Sequence, residues 1–96
     1  MTITAWVYVL RLESGGLYVG STVDLSRKFS EHFSGRGSRT TCLDLPVGIV
    51  YAEEFASVES AMKRESQLKV WSRAKKEALI RGDIAELKRL AKRRAK

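Results

Sequence analysis

The first twenty residues predict a β-hairpin, which limits the fold more than any other part of the chain. Residues 6–12 (WVYVLRL) alternate and are rich in β-forming side chains, and residues 17–20 (LYVG) are a second short run of the same kind. Between them, residues 14–16 (SGG) are a turn signal. The chain is therefore predicted to begin with two antiparallel strands and a short connection.

The hairpin brings Tyr8 and Tyr18 together only if its connection has the right length. Side chains alternate faces along a strand, so a connection over residues 12–16 sets Tyr18 opposite Leu10, on the face that carries Tyr8. A two-residue or four-residue connection sends the tyrosines to opposite faces. Each tyrosine taken singly is also explained as a half-buried strand aromatic, so both alternatives stay open.

The segment after the hairpin predicts a helix, a loop and a third strand. Asp24 is an N-cap candidate, and three apolar residues follow at helical spacing as the expected core face: Leu25, Phe29 and Phe33. Residues 35–41 (GRGSRTT) predict a loop by composition. Residues 46–55 predict a strand that begins at a proline.

The second half of the chain predicts three helices, because serine or aspartate caps precede each apolar pattern. We expect them at residues 57–70, at 72–82 and from 83 onward. The whole order predicts a small α/β (α+β) fold, with a three-stranded, mainly antiparallel sheet flanked by helices. We expect residues 1–82 to form the domain and residues 83–96 to form a basic helical tail that docks or frays.

The charge of the chain is uneven. The net charge is +7, but residues 1–62 hold five Lys and Arg against seven Asp and Glu, whereas residues 63–96 hold thirteen against four, which gives −2 and +9. A basic half indicates a polyanionic partner, and nucleic acid is the favoured one. A membrane partner is not expected, because the last helix lacks a bulky aromatic face. A charged helical surface that only confers solubility is the alternative.

Several classes of protein are disfavoured by the sequence. The longest apolar runs are far below the roughly 20 residues of a membrane span. Cys42 is the single cysteine, which excludes an intrachain disulfide and a multi-cysteine zinc site. The first residues lack the pattern of a secretory signal. We therefore expect a cytoplasmic location.

The predicted helix after Asp24 carries three basic side chains close together. Lys28 and His32 are i,i+4 neighbours beside the expected core face, with His32 at its edge, and both can reach a cleft next to the sheet. Arg27 lies nearly opposite that face and is expected to point to water. The alternative is that Lys28 is a surface residue and His32 a helix-edge packing residue.

Glu65 interrupts an apolar stripe on the helix predicted at residues 57–70. The stripe is expected from four residues: Val58, Ala61, Met62 and Leu68. An ionised carboxylate in such a place needs a partner or a metal. Lys69, four residues on, could supply a partly buried ion pair, and Mg²⁺, which commonly takes one or two protein carboxylates, is the functional alternative.

Taken in order, these residues resemble the GIY-YIG nuclease superfamily. Its two strand motifs correspond to Val7-Tyr8-Val9 and Tyr18-Val19-Gly20, whose tyrosines are ten residues apart. The basic residue four before a histidine corresponds to Lys28, and the metal-binding glutamate on a later helix to Glu65. The resemblance covers residues 5 to 81 and is nearest the small single-domain bacterial branch.

The resemblance implies hydrolysis of a nucleic-acid phosphodiester, of DNA more than RNA, with one Mg²⁺ or Mn²⁺ ion held by Glu65. The implied catalytic residues are Tyr8, Tyr18, Arg27, Lys28, His32 and Glu65. Residues expected to grip phosphates are Arg36, Arg39, Lys69, Arg73, Lys75 and Lys76. In the family an arginine usually stands where this chain has Lys28. A nucleic-acid-binding module without cleavage and a protein-interaction domain therefore stay open as alternatives.

Overall fold

The computed structural model describes residues 4–94, with side chains described as far as residue 91. These residues form one three-stranded antiparallel sheet and five helices. The elements are β1 (Ala5–Leu12), β2 (Leu17–Thr22), α1 (Leu25–Phe33), α2 (Arg39–Leu43), β3 (Pro46–Phe55), α3 (Val58–Lys69), α4 (Arg73–Arg81) and α5 (Ile84–Arg94). The predicted α+β class, the antiparallel sheet and the extra C-terminal helix are confirmed.

The hairpin has the register that places both tyrosines on one face. Tyr18 pairs with Leu10, and Gly20 pairs with Tyr8. The connection closes when Leu12 N–H donates to the Gly16 carbonyl over 2.9 Å. Gly15, inside it, has a φ of 90°, a left-handed conformation that favours glycine. The connection over residues 12–16 is thus the one the sequence analysis required.

The central strand β1 separates two packing layers, because its side chains alternate between the faces of the sheet. One face packs against α3 and α4 in a core that includes Val7, Val9, Val19, Ala61 and Leu68. The other face packs against α1, through Tyr8, Leu10 and Leu12 on the strand and Leu25 and Phe29 on the helix. The strand β2 is an edge strand, so groups from both layers can meet around it.

Each predicted helix cap is present. Asp24, Ser57 and Ser72 accept a hydrogen bond from the backbone N–H three residues on. Gly82 ends α4 with a φ of 71°, and Asp83 accepts from Glu86 N–H at the start of α5. These local signals explain why the boundaries of α3 and α4 agree with the sequence analysis to within one residue. The bounds of β3, which begins at Pro46, agree as well.

The loop expected at residues 35–41 is partly helical, which corrects that prediction. A single short helix, α2, begins at Arg39 because Ser38 accepts from Thr41 N–H and so caps it. Glycine and serine before this cap dominate the composition of the segment and conceal the helix that follows.

The expected core faces of α1 and α3 also need correction. On α1, Phe33 is 48% exposed, while His32, expected at the edge of the core face, is only 2% exposed. On α3, Val58 and Met62 are exposed and Ala61 is buried. Apolar spacing identifies side chains that share a helix face, but the neighbouring elements decide which part of that face is covered.

The last helix, α5, packs beside α4. The expected boundary between a domain of residues 1–82 and a helical tail of residues 83–96 stays a prediction. Residues 1–3 and 95–96 lie outside the described part of the chain. No helix within residues 4–94 has the length and apolar character needed to cross a membrane. The expected cytoplasmic location stays a prediction.

A bidentate ion pair between Arg11 and Glu77 joins the hairpin to α4. The two Arg11 Nη atoms donate to the two carboxylate oxygens of Glu77 over 2.6 and 2.7 Å. Arg73 donates to the Gly15 carbonyl over 2.6 Å. The hydrogen bond from Arg11 is the largest influence on Glu77 and holds the pKa of its carboxyl below the usual 4.5. The ion pair therefore stabilises the packing of α4 against the hairpin while Glu77 is ionised.

Replacing Glu77 tests this contribution. In Glu77→Gln we expect the free energy of unfolding at pH 7 to fall by about 1 kcal/mol, because a bidentate but partly exposed pair is lost. A carboxyl whose folded-state pKa is lowered stabilises the fold above its ordinary pKa and loses this effect as the pH falls through the folded-state value. The difference between Glu77→Gln and wild type is therefore expected to shrink below pH 4.5 in urea unfolding. A difference independent of pH would contradict the ionic origin.

Candidate active site

A cleft of about 360 Å³ opens beside the edge strand β2. It is lined by side chains from β1, β2, α1 and α3 and from the segment that follows α1. Six of the residues predicted from the sequence line it: Tyr8, Tyr18, Lys28, His32, Arg36 and Glu65. The remaining predicted residues lie outside it.

Three aromatic rings pack together at the base of the cleft. The ring centroids of Tyr8 and Tyr18 are 6.4 Å apart, and those of Tyr18 and His32 are 5.2 Å apart. The phenol oxygen of Tyr8 forms a hydrogen bond of 2.9 Å with His32 Nε2. The two strand tyrosines and the helix histidine thus form one contiguous group, with a polar link between β1 and α1.

Gly20 allows Tyr8 to reach this position. A Cβ atom on Gly20 would lie 2.5 Å from the Tyr8 phenol oxygen and 2.6 Å from its Cζ atom. Side chains do not approach a ring so closely, so only a residue without a side chain fits beneath the phenol. The glycine of the second strand motif is therefore explained by packing against the tyrosine of the first.

The segment after α1 packs against the Nδ1 side of the His32 ring. Its Nδ1 atom is 2.8 Å from Thr41 Oγ1. A Cβ on Gly37 would lie 2.2 Å from the same Nδ1 atom, so this glycine is also required by close packing. Burial, with a further contribution from Lys28, lowers the pKa of His32 below its usual 6.5, although Glu31 opposes the shift. The imidazole is therefore neutral at physiological pH.

Tyr8 is held in its protonated form by the same surroundings. Burial raises the pKa of its phenol above the ordinary value of 10, and the negative charge that Tyr18, Glu65 and Glu31 carry when ionised raises it further. A Tyr8 phenolate therefore requires compensating positive charge in the cleft. Lys28 and Arg36 are the cationic side chains that line it.

Glu65 enters the cleft from the opposite layer of the fold. Its helix packs on the other face of the sheet from Tyr8, and Ser21 Oγ on the edge strand β2 donates to the Oε1 atom of Glu65 over 2.5 Å. Lys69 Nζ lies 2.7 Å from Oε2. Burial alone would raise the pKa of Glu65, but the bonds from Lys69 and Ser21 outweigh it and hold the pKa below 4.5.

A divalent cation fits the chemistry of this carboxylate. Glu65 is ionised, 20% exposed and directed into a polar cleft. The described residues contain no group of three or more His, Cys, Asp or Glu side chains arranged around a common point. Mg²⁺ and Mn²⁺ accept such sparse protein ligation because they retain water in the remaining positions. A cation at Glu65 would compete with Lys69 for the carboxylate.

Lys28 and Arg27 occupy different positions, as the sequence analysis expected. Lys28 lines the cleft, with its Nζ atom 3.3 Å from Glu31 Oε1. The Arg27 side chain is 75% exposed, lies outside the cleft and forms a longer contact of 3.5 Å with Glu31. Of the two cations, Lys28 is therefore the one placed beside the tyrosines and His32.

The predicted phosphate-gripping residues are dispersed. Arg36 lines the cleft, and Arg39 is exposed at the start of α2, outside it. Lys69 is engaged with Glu65. Arg36 and Arg39 both lie on the segment that covers His32. This segment is next to the cleft, and both side chains are exposed to solvent.

The basic residues of α4 lie outside the cleft. Arg73 is bonded to Gly15, as described above, and Lys75 Nζ lies 4.3 Å from the centroid of the Trp71 ring. Lys76 is partly exposed on the same helix. The cleft itself does not include these three residues, so any contribution they make to binding is to flanking parts of a ligand.

Several residues of the cleft were not predicted from the sequence. These are Ser21, Glu31, Gly37 and Ser38 in the lining and Thr41 behind it. Strand alternation places Ser21 on the α3 side of β2 and could have identified it. Glu31 lies three residues after Lys28 on α1, so helical spacing could have identified it as well. Gly37, Ser38 and Thr41 carry no periodic signal, because their segment is positioned by contacts with His32.

Comparison with known proteins agrees with this geometry. A family model described as the GIY-YIG catalytic domain matches residues 4–78. The chain belongs to the GIY-YIG family. The resemblance inferred from the tyrosine, histidine and glutamate positions is confirmed at the level of the family, and the match covers all the residues of the cleft.

The similar proteins include UPF0213 proteins of bacteria and archaea. A UPF0213 protein of Streptococcus pneumoniae is 42% identical over 76 residues, which cover 79% of this chain and 77% of that protein. One from Natronomonas pharaonis is 41% identical over 80 residues, covering 83% and 94%. The solution NMR structure of a UPF0213 protein from Bacillus halodurans is similar with a TM-score of 0.53 and 33% identity, covering 83% and 85% of the two chains.

Substitution of Gly20 tests the packing beneath Tyr8. In Gly20→Ala we expect the free energy of unfolding to fall by about 1–3 kcal/mol, because the added methyl displaces a buried ring. We also expect the NMR cross-peaks between the Tyr8 and His32 rings to disappear. Gly48→Ala is the matched control, since this glycine is also in a strand but has no atom within 4 Å of an added Cβ. Equal effects of the two substitutions would contradict the packing argument.

Proposed function

We propose that this chain hydrolyses phosphodiester bonds of nucleic acid in a reaction that requires one Mg²⁺ or Mn²⁺ ion, with DNA preferred over RNA. The observation that carries the proposal is the meeting of two tyrosines, a histidine, a lysine and a glutamate in one cleft. Membership of the GIY-YIG family supports the same reaction class. These groups supply the proton transfer and charge stabilisation that phosphodiester cleavage needs.

In this proposal Glu65 holds the metal ion. When bound, such an ion polarises the phosphate and stabilises negative charge on its oxygens. Ser21 orients the carboxylate through its hydrogen bond to Oε1. Lys69 keeps the Glu65 carboxylate ionised in the absence of a metal ion. If both carboxylate oxygens were to bind the ion, Lys69 would have to release Oε2.

The two tyrosines and His32 transfer the proton of the attacking water. Tyr8 or Tyr18 removes it as a phenolate, and Lys28 stabilises the charge that develops on the phosphate. Neutral His32 accepts or returns a proton at Nε2, the atom bonded to Tyr8. Arg36 at the cleft contacts the flanking phosphate, with Arg39 beyond it, while Arg73, Lys75 and Lys76 supply weaker, sequence-independent attraction.

A nucleic-acid-binding module without cleavage is the second candidate. Two observations favour it: a lysine stands where the family usually has arginine, and both oxygens of Glu65 are already engaged by Ser21 and Lys69. Lysine provides a point charge and lacks the planar fork that grips a phosphate through two oxygens. This candidate predicts salt-sensitive binding without any cleaved product.

The nuclease proposal is tested by nicking of supercoiled plasmid DNA. We expect the purified chain to nick the plasmid with Mg²⁺ or Mn²⁺ and to stop when EDTA is added. In Glu65→Gln we expect the rate to fall by about 100-fold or more, because the ionised ligand is lost. A radiolabelled RNA of the same sequence measures the preference for DNA.

The control for Glu65→Gln lies on the same helix. Glu59 forms an i,i+4 pair with Lys63, as Glu65 does with Lys69, but its side chain is 81% exposed and outside the cleft. Glu59→Gln should therefore nick DNA at the wild-type rate. If wild type and Glu65→Gln nicked DNA at the same rate, the activity would come from a contaminant, and this result would contradict the proposal. Binding to DNA without product, in wild type, would favour the second candidate.

The roles of the two neighbouring cations are tested by three substitutions. We expect Lys28→Ala to lower kcat by about 100-fold and Lys28→Arg to retain or increase activity, since either cation can neutralise a phosphate from this position. Arg27→Ala should change kcat much less, because Arg27 points away from the cleft. A larger loss in Arg27→Ala than in Lys28→Ala would reverse the assignment.

A further inference from the structure

His32 has a defined partner at each of its ring nitrogens. The side chain is 2% exposed and contacts Tyr8 at Nε2 over 2.9 Å and Thr41 at Nδ1 over 2.8 Å. Thr41 is itself fully buried. Neither nitrogen therefore depends on solvent for its hydrogen bond, and the network around the ring decides which one carries the proton.

The direction of the Thr41 bond follows from Ser38. Thr41 Oγ1 lies 3.1 Å from the backbone carbonyl oxygen of Ser38, and this oxygen can only accept. Thr41 can donate its single hydroxyl proton to this oxygen, which also accepts from Cys42 N–H over 3.0 Å. With its proton directed at Ser38, Thr41 Oγ1 accepts from His32, and Nδ1 carries the ring proton. The Ser38 hydroxyl, 3.3 Å away, can donate to the remaining lone pair of Thr41.

The opposite ring nitrogen is fixed by this arrangement. A neutral imidazole protonated at Nδ1 has a lone pair at Nε2, and that lone pair faces the phenol of Tyr8. Tyr8 therefore donates to His32. Tyr18 packs against the same ring, at 5.2 Å between centroids, but the hydrogen bond of the imidazole is with Tyr8.

The short helix α2 is built around Thr41. Ser38 caps it and receives the Thr41 N–H over 3.2 Å, so the same residue holds both the backbone and the hydroxyl of Thr41. A Cβ on Gly37 would lie 2.6 Å from Thr41 Oγ1, which explains the close approach of this segment to the ring.

We propose that Thr41 is a positioning residue that holds His32 in its Nδ1–H form, so that His32 Nε2 accepts the phenol proton of Tyr8. Tyr8, and not Tyr18, is then the tyrosine that becomes a phenolate. The assignment of the proton on His32 stands on the hydrogen-bond network alone. Its consequence for catalysis rests on the proposed nuclease function.

The resulting proton path is balanced. The Oη–H bond of Tyr8 breaks as an N–H bond forms at His32 Nε2. The phenolate takes a proton from the attacking water while the water oxygen forms a bond to phosphorus and the bond from phosphorus to the leaving oxygen breaks. The proton on His32 passes to the leaving oxygen, so one water is consumed and both side chains are restored.

The test uses the fact that His32 is the single histidine of the chain. Labelling with ¹⁵N-histidine therefore reports one ring, and the ¹⁵N shifts distinguish a protonated from a bare nitrogen. In metal-free wild type at pH 8 we expect the proton on Nδ1 and a bare Nε2. In Thr41→Val the Nε2–H form should become the major one, because Nδ1 loses its acceptor. Thr41→Ser, which keeps the hydroxyl, should restore the wild-type shifts.

The matched control is Thr40→Val, the same substitution at the exposed neighbour on α2. It should leave the His32 shifts unchanged. Nicking of plasmid DNA with Mg²⁺ supplies the second readout, in which we expect kcat to fall by about 10- to 100-fold in Thr41→Val and to recover in Thr41→Ser, with KM little changed. Thr41→Ala replaces Thr41→Val if the latter does not fold.

The outcomes separate the two proposals. A proton on Nε2 in wild type, or unchanged shifts in a folded Thr41→Val or Thr41→Ala, would overturn the role of Thr41 whatever the activity. An Nδ1–H ring in a wild type that nicks no DNA would overturn the nuclease proposal and the proton path, while the role of Thr41 in orienting His32 would stand.

Discussion

The close approach of the Tyr8 phenol to Gly20 is the contact on which the rest of the site depends. A phenol on the central strand would ordinarily be enclosed by its neighbours, but the missing side chain on the paired residue leaves a path to the sheet edge. At that edge Tyr8 bonds to His32 from one layer and lines the same cleft as Glu65 from the other. Two layers that the sheet keeps apart elsewhere thus share one cleft.

The cleft combines a neutral pair with an ionised acid. Burial raises the pKa of Tyr8 and lowers that of His32, so the hydrogen bond between them joins two uncharged groups at rest. Glu65 is kept ionised by Lys69 and Ser21 in spite of burial. Such separation of neighbouring pKa values is typical of catalytic sites. Positive charge brought near Tyr8 would favour the phenolate, which links binding of a cation to activation of the phenol.

Local signals accounted for most of the fold because they depend on a few neighbouring residues. The sequence left the length of the hairpin connection open, and the structure has the five-residue connection that pairs Tyr18 with Leu10. The capping serines located α3 and α4. Burial was harder to predict. The apolar spacing of α1 favoured Phe33 as a core residue, whereas the chain buries His32, since the segment through Gly37 folds over that side of the helix.

The sequence alone determined the three strands, four of the five described helices, the family and the tyrosine, lysine, histidine and glutamate that meet in the cleft. These properties depend on periodicity, turn residues and ordered motifs, which are local in the chain. Only the tertiary structure decided that Glu65, on a helix that packs on the other face of the sheet, lines the same cleft as the tyrosines, and that Thr41 lies against Nδ1 of His32. Contacts between distant segments depend on how whole layers pack, and no short-range pattern encodes that.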